Sequence, residues 1–163
     1  MLAKPILIAY ATRGGTTQGV AEGLGRVLRE KGALVEVRPV EQVKNLVPYR
    51  AVVVGSGVRD ERWLPEATHF VEHHREALQQ LPLVYFLVYS PLRREPPERI
   101  EQVRGFLDGV RQMAEPLEVG IFARDLDATP PPMLVKAQPL PQGDWSDWQS
   151  PEAWAARLYE RFA

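Results

Sequence analysis

The stretch PILIAYATRGGTTQGVAEGLGRVLREKG, residues 5–32, joins an apolar run, a loop rich in glycine and threonine, and an amphipathic pattern. The nearly continuous hydrophobicity of residues 5–11 predicts a strand that is covered on both faces. Residues 17–31 have helical spacing, and Gly32 supplies a stop. The apolar stripe of this helix is Val20, Leu24, Val27 and Leu28. A strand that leads through a loop into a helix indicates the first half of a βαβ unit.

The same alternation of apolar runs and helical patterns continues along the chain. Further buried strands are predicted at 51–55, 83–89 and 117–123, and a half-exposed edge strand at 33–39. Helices are predicted at 41–46 and 150–162, and two more begin at prolines. The helix from Pro65 to about 80 has these residues facing inward: Phe70, Val71, Ala77 and Leu78. The helix from Pro97 has this apolar stripe: Ile100, Val103, Leu107 and Val110. The pattern predicts an α/β fold of one domain, residues 1–163, built as a three-layer αβα sandwich.

Residues 125–148 interrupt the alternation. They contain five prolines and two tryptophans, and we predict a long irregular connection to the last helix. Trp145 and Trp148 are predicted to pack around that helix together with Trp154.

Charge and composition exclude several function classes. The 20 basic and 21 acidic residues leave a formal charge of −1, so we expect no attraction to nucleic acid and at most peripheral contact with a membrane. The chain has no cysteine, which excludes disulfides and cysteine-ligated clusters. Redox chemistry would therefore require a bound cofactor. We expect a cytoplasmic protein, because the sequence has neither a signal peptide pattern nor an apolar stretch of about 18 residues.

Three histidines, His69, His73 and His74, follow the third predicted strand. Their spacing lacks an accompanying acidic ligand, so we expect no metal site and a solvated helix face for His69 and His73. His74 falls nearer to the apolar stripe.

The first loop is suited to an anion. A loop that follows a parallel strand and begins a helix directs backbone N–H groups and the positive end of the helix dipole at one point. The missing lysine after the glycines excludes a nucleoside-triphosphate loop, and the dinucleotide glycine pattern is also absent. Neutral threonine donors favour a monophosphate ester. The alternative is a turn that only caps a helix.

YATRGGTT, residues 10–17, resembles the FMN-phosphate loop of flavodoxins. Three further blocks resemble the flavodoxin-like branch that includes the menaquinone-dependent protoporphyrinogen dehydrogenases. They are VVVGSGV at 52–58, RWLPEATHFVEHHREAL at 62–78 and GDWSDW at 143–148. The resemblance implies a five-stranded parallel sheet of order 2-1-3-4-5, with FMN across the carboxyl ends of the strands.

The resemblance also implies the site residues. Those around the FMN phosphate would be Thr12, Arg13, Gly14, Gly15, Thr16 and Thr17. Those flanking the flavin ring would be Ser56, Gly57, Val58, Arg59, Tyr89, Ser90, Pro91 and Leu92. Arg59 stands where this branch offers an aromatic ring. Its guanidinium can lie flat on an aromatic plane or counter a flavin anion, and the alternative is that Tyr89 or Trp63 compensates for the ring. Ser90 and Arg124 stand where the branch has glycine.

By this resemblance the protein is an FMN-binding oxidoreductase that transfers electrons through the flavin. The branch implies protoporphyrinogen IX dehydrogenation with a quinone acceptor in haem biosynthesis, and hence porphyrinogen and quinone as partners. Two alternatives stay open: an electron-carrier flavodoxin, and a diverged fold without flavin that acts in interaction or regulation. The small net charge argues against a carrier that docks on basic partners. The sequence nominates no catalytic residue.

Overall fold

A computed structural model of the chain describes residues 3–59, 62–89, 105–124, 133–138 and 150–162. Predictions for Ser90, Pro91, Leu92 and the two tryptophans of 143–148 lie outside these residues, as do the start of the helix at Pro97 and its Ile100 and Val103. None of the helices that the structure describes combines the length and the apolar character of a membrane-spanning segment.

The described elements alternate strands with helices, as the apolar runs predict. In chain order they are β1 (Ile6–Ala11), α1 (Thr16–Glu30), β2 (Val35–Pro39), a 3-10 turn (Val40–Gln42), β3 (Ala51–Arg59), β4 (Arg62–Trp63), α2 (Pro65–His73), α3 (Arg75–Leu78), β5 (Leu83–Tyr89), α4 (Asp108–Met113), β6 (Glu118–Arg124), β7 (Met133–Gln138) and α5 (Pro151–Arg161).

The strands form one sheet of order β2-β1-β3-β5-β6-β7, and the short β4 pairs with β3. The first five strands in this order are parallel. When only these five are numbered along the chain, without β4 and β7, their order is 2-1-3-4-5, and the predicted order is confirmed. The order reverses between β1 and β3, where the chain leaves β1 in one direction for β2 and returns for β3. Crevices at this switch point bind ligands in doubly wound folds.

Two hydrophobic clusters cover the two faces of the sheet. One packs under α1 and α5, and the other under α2 and α4. The predicted stripe of α1 is confirmed, because Leu24 and Leu28 are buried and Val20 and Val27 pack against the same cluster. In α4 and the turn before it, Leu107 and Val110 are buried as predicted.

The sequence prediction was wrong for part of 125–148, because Met133–Gln138 forms β7, antiparallel to β6. Hydrogen bonding to β6 pairs the backbone of this segment, and Val135 is fully buried while Met133 packs against the same cluster. Prolines on both sides of this short segment led to the prediction of an irregular connection. Proline is tolerated at the ends of an edge strand, so it does not exclude a strand between them.

Two predicted helices also differ. The helix at 41–46 is a single 3-10 turn, since six residues cannot offset the cost of helix nucleation. The helix after Pro65 is interrupted at His74, whose backbone angles of −103° and 18° are not helical. The interruption turns Leu78 into the core and leaves Ala77 exposed, contrary to the predicted inward position of Ala77.

The last helix is anchored to the sheet by the buried carboxylate of Glu118 at the start of β6. Trp154 Nε1 donates to Glu118 Oε1 at 2.6 Å, and Arg157 Nη2 donates to the same oxygen at 2.9 Å. Arg161 Nε lies 3.3 Å from Glu118 Oε2. At the start of the helix, the Ser150 hydroxyl accepts a hydrogen bond from Ala153 N and caps the first turn.

Glu118→Ala is expected to destabilise the protein by about 3 kcal/mol, because it leaves a buried indole N–H without an acceptor and two arginines without their carboxylate. Glu118→Gln keeps an acceptor for Trp154 and is expected to cost roughly half as much. Urea unfolding followed by tryptophan fluorescence measures both variants. Equal losses for the two would show that the indole hydrogen bond adds nothing.

Candidate functional site

The loop between β1 and α1 is shaped by Thr12 and Gly15. Thr12 Oγ1 accepts a hydrogen bond from Gly15 N at 2.9 Å. Gly15 has φ +88°, a left-handed conformation that glycine adopts without strain. Because Gly15 is the N-cap residue and offers no side chain, no side-chain group caps α1. The N–H groups of the first helical turn are therefore left for an external acceptor.

The electrostatics of this helix start favour a negative ligand. Within the described helix α1, the first turn carries no acidic residue that would compete for the positive end of the dipole. Thr16 and Thr17 open the helix, and their hydroxyls add neutral donors. The arrangement has the features that favour an anion at a helix N-terminus.

A cavity of about 440 Å³ opens beside this loop, within the size range of small-molecule sites. Its lining is Thr12, Arg13, Gly14, Thr16, Thr17, Gly57, Val58, Arg59, Leu64 and Val88. The structure thus brings eight of the sequence-predicted residues together at the carboxyl edge of the sheet. Sequence reasoning missed Leu64 and Val88, because it sought the ligand in loops and treated the last residues of the strands as core.

Two predicted site residues, Gly15 and Ser56, are not part of the cavity lining. The Ser56 hydroxyl is fully buried, accepts from Leu64 N at 3.0 Å and donates to Gly57 O at 2.7 Å. These bonds tie the end of β3 to the start of α2. A Cβ at Gly57 would lie 3.4 Å from Thr17 Oγ1, so the end of β3 approaches the start of α1 closely.

Arg13 does not project freely into the cavity. Its guanidinium makes a two-point hydrogen bond with Glu66 in the first turn of α2: Nη1 donates to Oε2, and Nη2 donates to Oε1 at 2.7 Å. This bond to Arg13 lowers the pKa of Glu66 below its ordinary value. Sequence reasoning missed Glu66, because the two residues are 53 positions apart and no local pattern connects them.

Of the two possible replacements for the missing aromatic ring, Trp63 lies in the core and is not part of the cavity lining. Trp63 is 3% exposed, donates through Nε1 to Phe86 O at 3.2 Å, and stands edge-on to Tyr85 with ring centroids 5.0 Å apart. Its indole is therefore committed to the core under α2. Arg59 is exposed at the end of β3, and the Tyr89 side chain lies outside the described structure.

The histidines lie away from the cavity. His69 and His73 are exposed, as predicted for a solvated helix face. His74 packs against Phe70, with ring centroids 4.6 Å apart, and burial lowers its pKa.

Fold and cavity together define a class: a doubly wound α/β protein with an uncapped helix start and a cavity at the switch point of its sheet. A family model described as Flavodoxin domain matches residues 7–130. The chain belongs to this family, and its cofactor is FMN. The site agrees with this cofactor on its own geometry, since an uncapped helix start faces a cavity of small-molecule size.

The relatives extend from one enzyme to several flavodoxins. Protoporphyrinogen IX dehydrogenase [quinone] of Escherichia coli K12 is 28% identical over 102 residues, which cover 61% of this chain and 56% of that protein. The chain thus spans little more than half of the curated relatives that it matches. An archaeal flavodoxin superposes with TM-score 0.58 at 19% identity, covering 97% of this chain and 98% of the other. A short-chain flavodoxin associated with a bacterial microcompartment has TM-score 0.59 at 17% identity, covering 99% and 100%.

Proposed function

We propose that this flavin-binding electron-transfer protein is an FMN-dependent oxidoreductase that dehydrogenates protoporphyrinogen IX with a quinone acceptor in haem biosynthesis. The observation that carries the flavin part is the cavity between the uncapped start of α1 and the carboxyl ends of β3 and β5. The substrate part is supported by the E. coli relative whose name states that activity.

In this proposal the residues divide between phosphate and ring. The N–H groups at the start of α1 and the hydroxyls of Thr12, Thr16 and Thr17 bind the phosphate. Gly57, Val58 and Val88 provide close backbone approach and apolar contact for the ring, and the remaining predicted ring residues complete the site. The bound flavin supplies the redox chemistry, and the protein holds and orients it.

Leu64 and Val88 give the cavity an apolar floor, since they are only 2% and 8% exposed. Arg59 lies on the solvent side of the same cavity. A ring placed between them would have its inner part shielded from water and its outer edge open to a reaction partner. This arrangement suits electron exchange with a molecule that binds at the mouth of the cavity.

The test is anaerobic turnover of protoporphyrinogen IX by the FMN-loaded protein with a soluble quinone, followed by the fluorescence of protoporphyrin. We expect turnover that depends on both FMN and quinone. FMN binding and chemical reduction of the flavin without turnover would favour an electron-carrier flavodoxin. Failure of the folded protein to bind FMN at micromolar concentration would favour the hypothesis that the fold has lost its flavin.

A further inference from the structure

Arg13 is the one charged side chain of the loop at residues 12–17, and it is paired with Glu66. Arg13 lines the cavity, and its two terminal nitrogens both contact the carboxylate of Glu66. Glu66 belongs to a different element, the first turn of α2. The positive charge is therefore neutralised before any phosphate arrives.

If a bound phosphate contacted Arg13 in place of Glu66, the Glu66 carboxylate would lose its partner. The side chains of Arg13 and Glu66 are 53% and 28% exposed, so the pair is hydrated and can be broken at modest cost. The released carboxylate would then stand near a phosphate that carries the same sign of charge. The attraction between Arg13 and the phosphate is offset by the breaking of the Arg13–Glu66 pair and by this repulsion.

We propose that Glu66 is a positioning residue that sets the FMN affinity by holding Arg13 in a neutral pair. FMN phosphate is then bound by the start of α1 and the neutral threonines, and Arg13 contributes little in the natural protein. This inference rests on the proposed phosphate site at residues 12–17. It also changes the role that the resemblance implies for Arg13.

One substitution in this pair is expected to strengthen FMN binding. Glu66→Gln keeps the shape of the side chain, removes its charge and frees Arg13, so FMN should bind about 5–10-fold more tightly at low salt through a charge-assisted contact. The double variant Arg13→Gln/Glu66→Gln lacks both charges and should stay within about twofold of the natural protein, because the paired charges cancel there and Arg13 does not contact the phosphate. Arg13→Gln alone leaves the Glu66 carboxylate unpaired near the phosphate and should weaken FMN binding at low salt, with a smaller loss at high salt.

FMN is titrated by fluorescence quenching against the flavin-free protein and the three variants, at about 0.02 M and about 0.5 M salt. Riboflavin, which lacks the phosphate, is titrated in parallel and should not distinguish Glu66→Gln from the natural protein. Glu72→Gln is the matched control, because Glu72 is exposed on the same helix α2. Glu72→Gln should leave the affinities for FMN and for riboflavin unchanged.

Three results overturn the inference while the natural protein still binds FMN. One is an unchanged or weaker affinity in Glu66→Gln, and another is a loss of about tenfold or more in the double variant, which would mean that Arg13 contacts the phosphate in the natural protein. An equal increase in riboflavin affinity would overturn it too, because Glu66 would then act on the loop as a whole. A folded natural protein that binds no FMN overturns the proposed function, and the inference with it.

Discussion

Thr16→Glu is expected to weaken FMN binding at least about 100-fold, because a carboxylate near 4 Å from a phosphate costs roughly 4 kcal/mol at a protein surface. Thr16 is exposed, opens α1 and lines the cavity, so the new charge stands where the phosphate is proposed to bind. The fold should not suffer, since an acidic residue in the first turn of a helix interacts favourably with its dipole. Isothermal titration with FMN measures the loss.

Two controls distinguish a specific effect on phosphate binding from a general effect of the added charge. Gln80→Glu adds the same charge beyond the end of α3, shortly before β5 begins at the opposite edge of the sheet, and should leave the Kd for FMN unchanged. Riboflavin should lose much less affinity than FMN in Thr16→Glu. If both flavins lost affinity equally, the phosphate would not lie at the start of α1. A lower Tm would contradict the expected effect of the helix dipole.

Gly55→Ala is expected to destabilise the protein by about 3 kcal/mol or more, because it forces an extra methyl group into a filled core. A Cβ at Gly55 would stand 1.9 Å from the ring of Phe86, which lies opposite it on β5. Phe86 cannot swing away, since its ring packs edge-on against Phe122 at 5.4 Å, and Phe122 packs in the same way against Trp154. Urea unfolding measures the change in the free energy of unfolding.

Phe86→Leu provides the partner for a double-mutant cycle. The smaller side chain makes room for the alanine, so Gly55→Ala should cost at least about 1 kcal/mol less in the Phe86→Leu background than in the natural protein. Additive losses would mean that the clash with Phe86 is not the cause. Should Gly55→Ala alone fail to fold, recovery of folded protein in the double variant carries the same information.

The strand order and the first loop followed from local patterns. Continuous apolar runs such as Val52–Val54 in β3 and Leu83–Val88 in β5 are typical of strands covered on both faces, and they form the centre of the observed sheet. The helix after the loop could be predicted because its apolar stripe, Val20 to Leu28, repeats over more than two turns. Short or weak patterns could not be interpreted, and β7 and the interruption at His74 were missed for that reason.

The parallel sheet and the glycine- and threonine-rich helix start could be predicted from the amino-acid sequence, because both depend on residues that are close along the chain. The contacts of the site's side chains could not be predicted and depend on the tertiary structure. Glu66 pairs with Arg13 across 53 positions, and Trp63 is turned away from the cavity toward Phe86 O. Such contacts depend on where separate elements pack in space, and the residue types in one segment do not encode that distance.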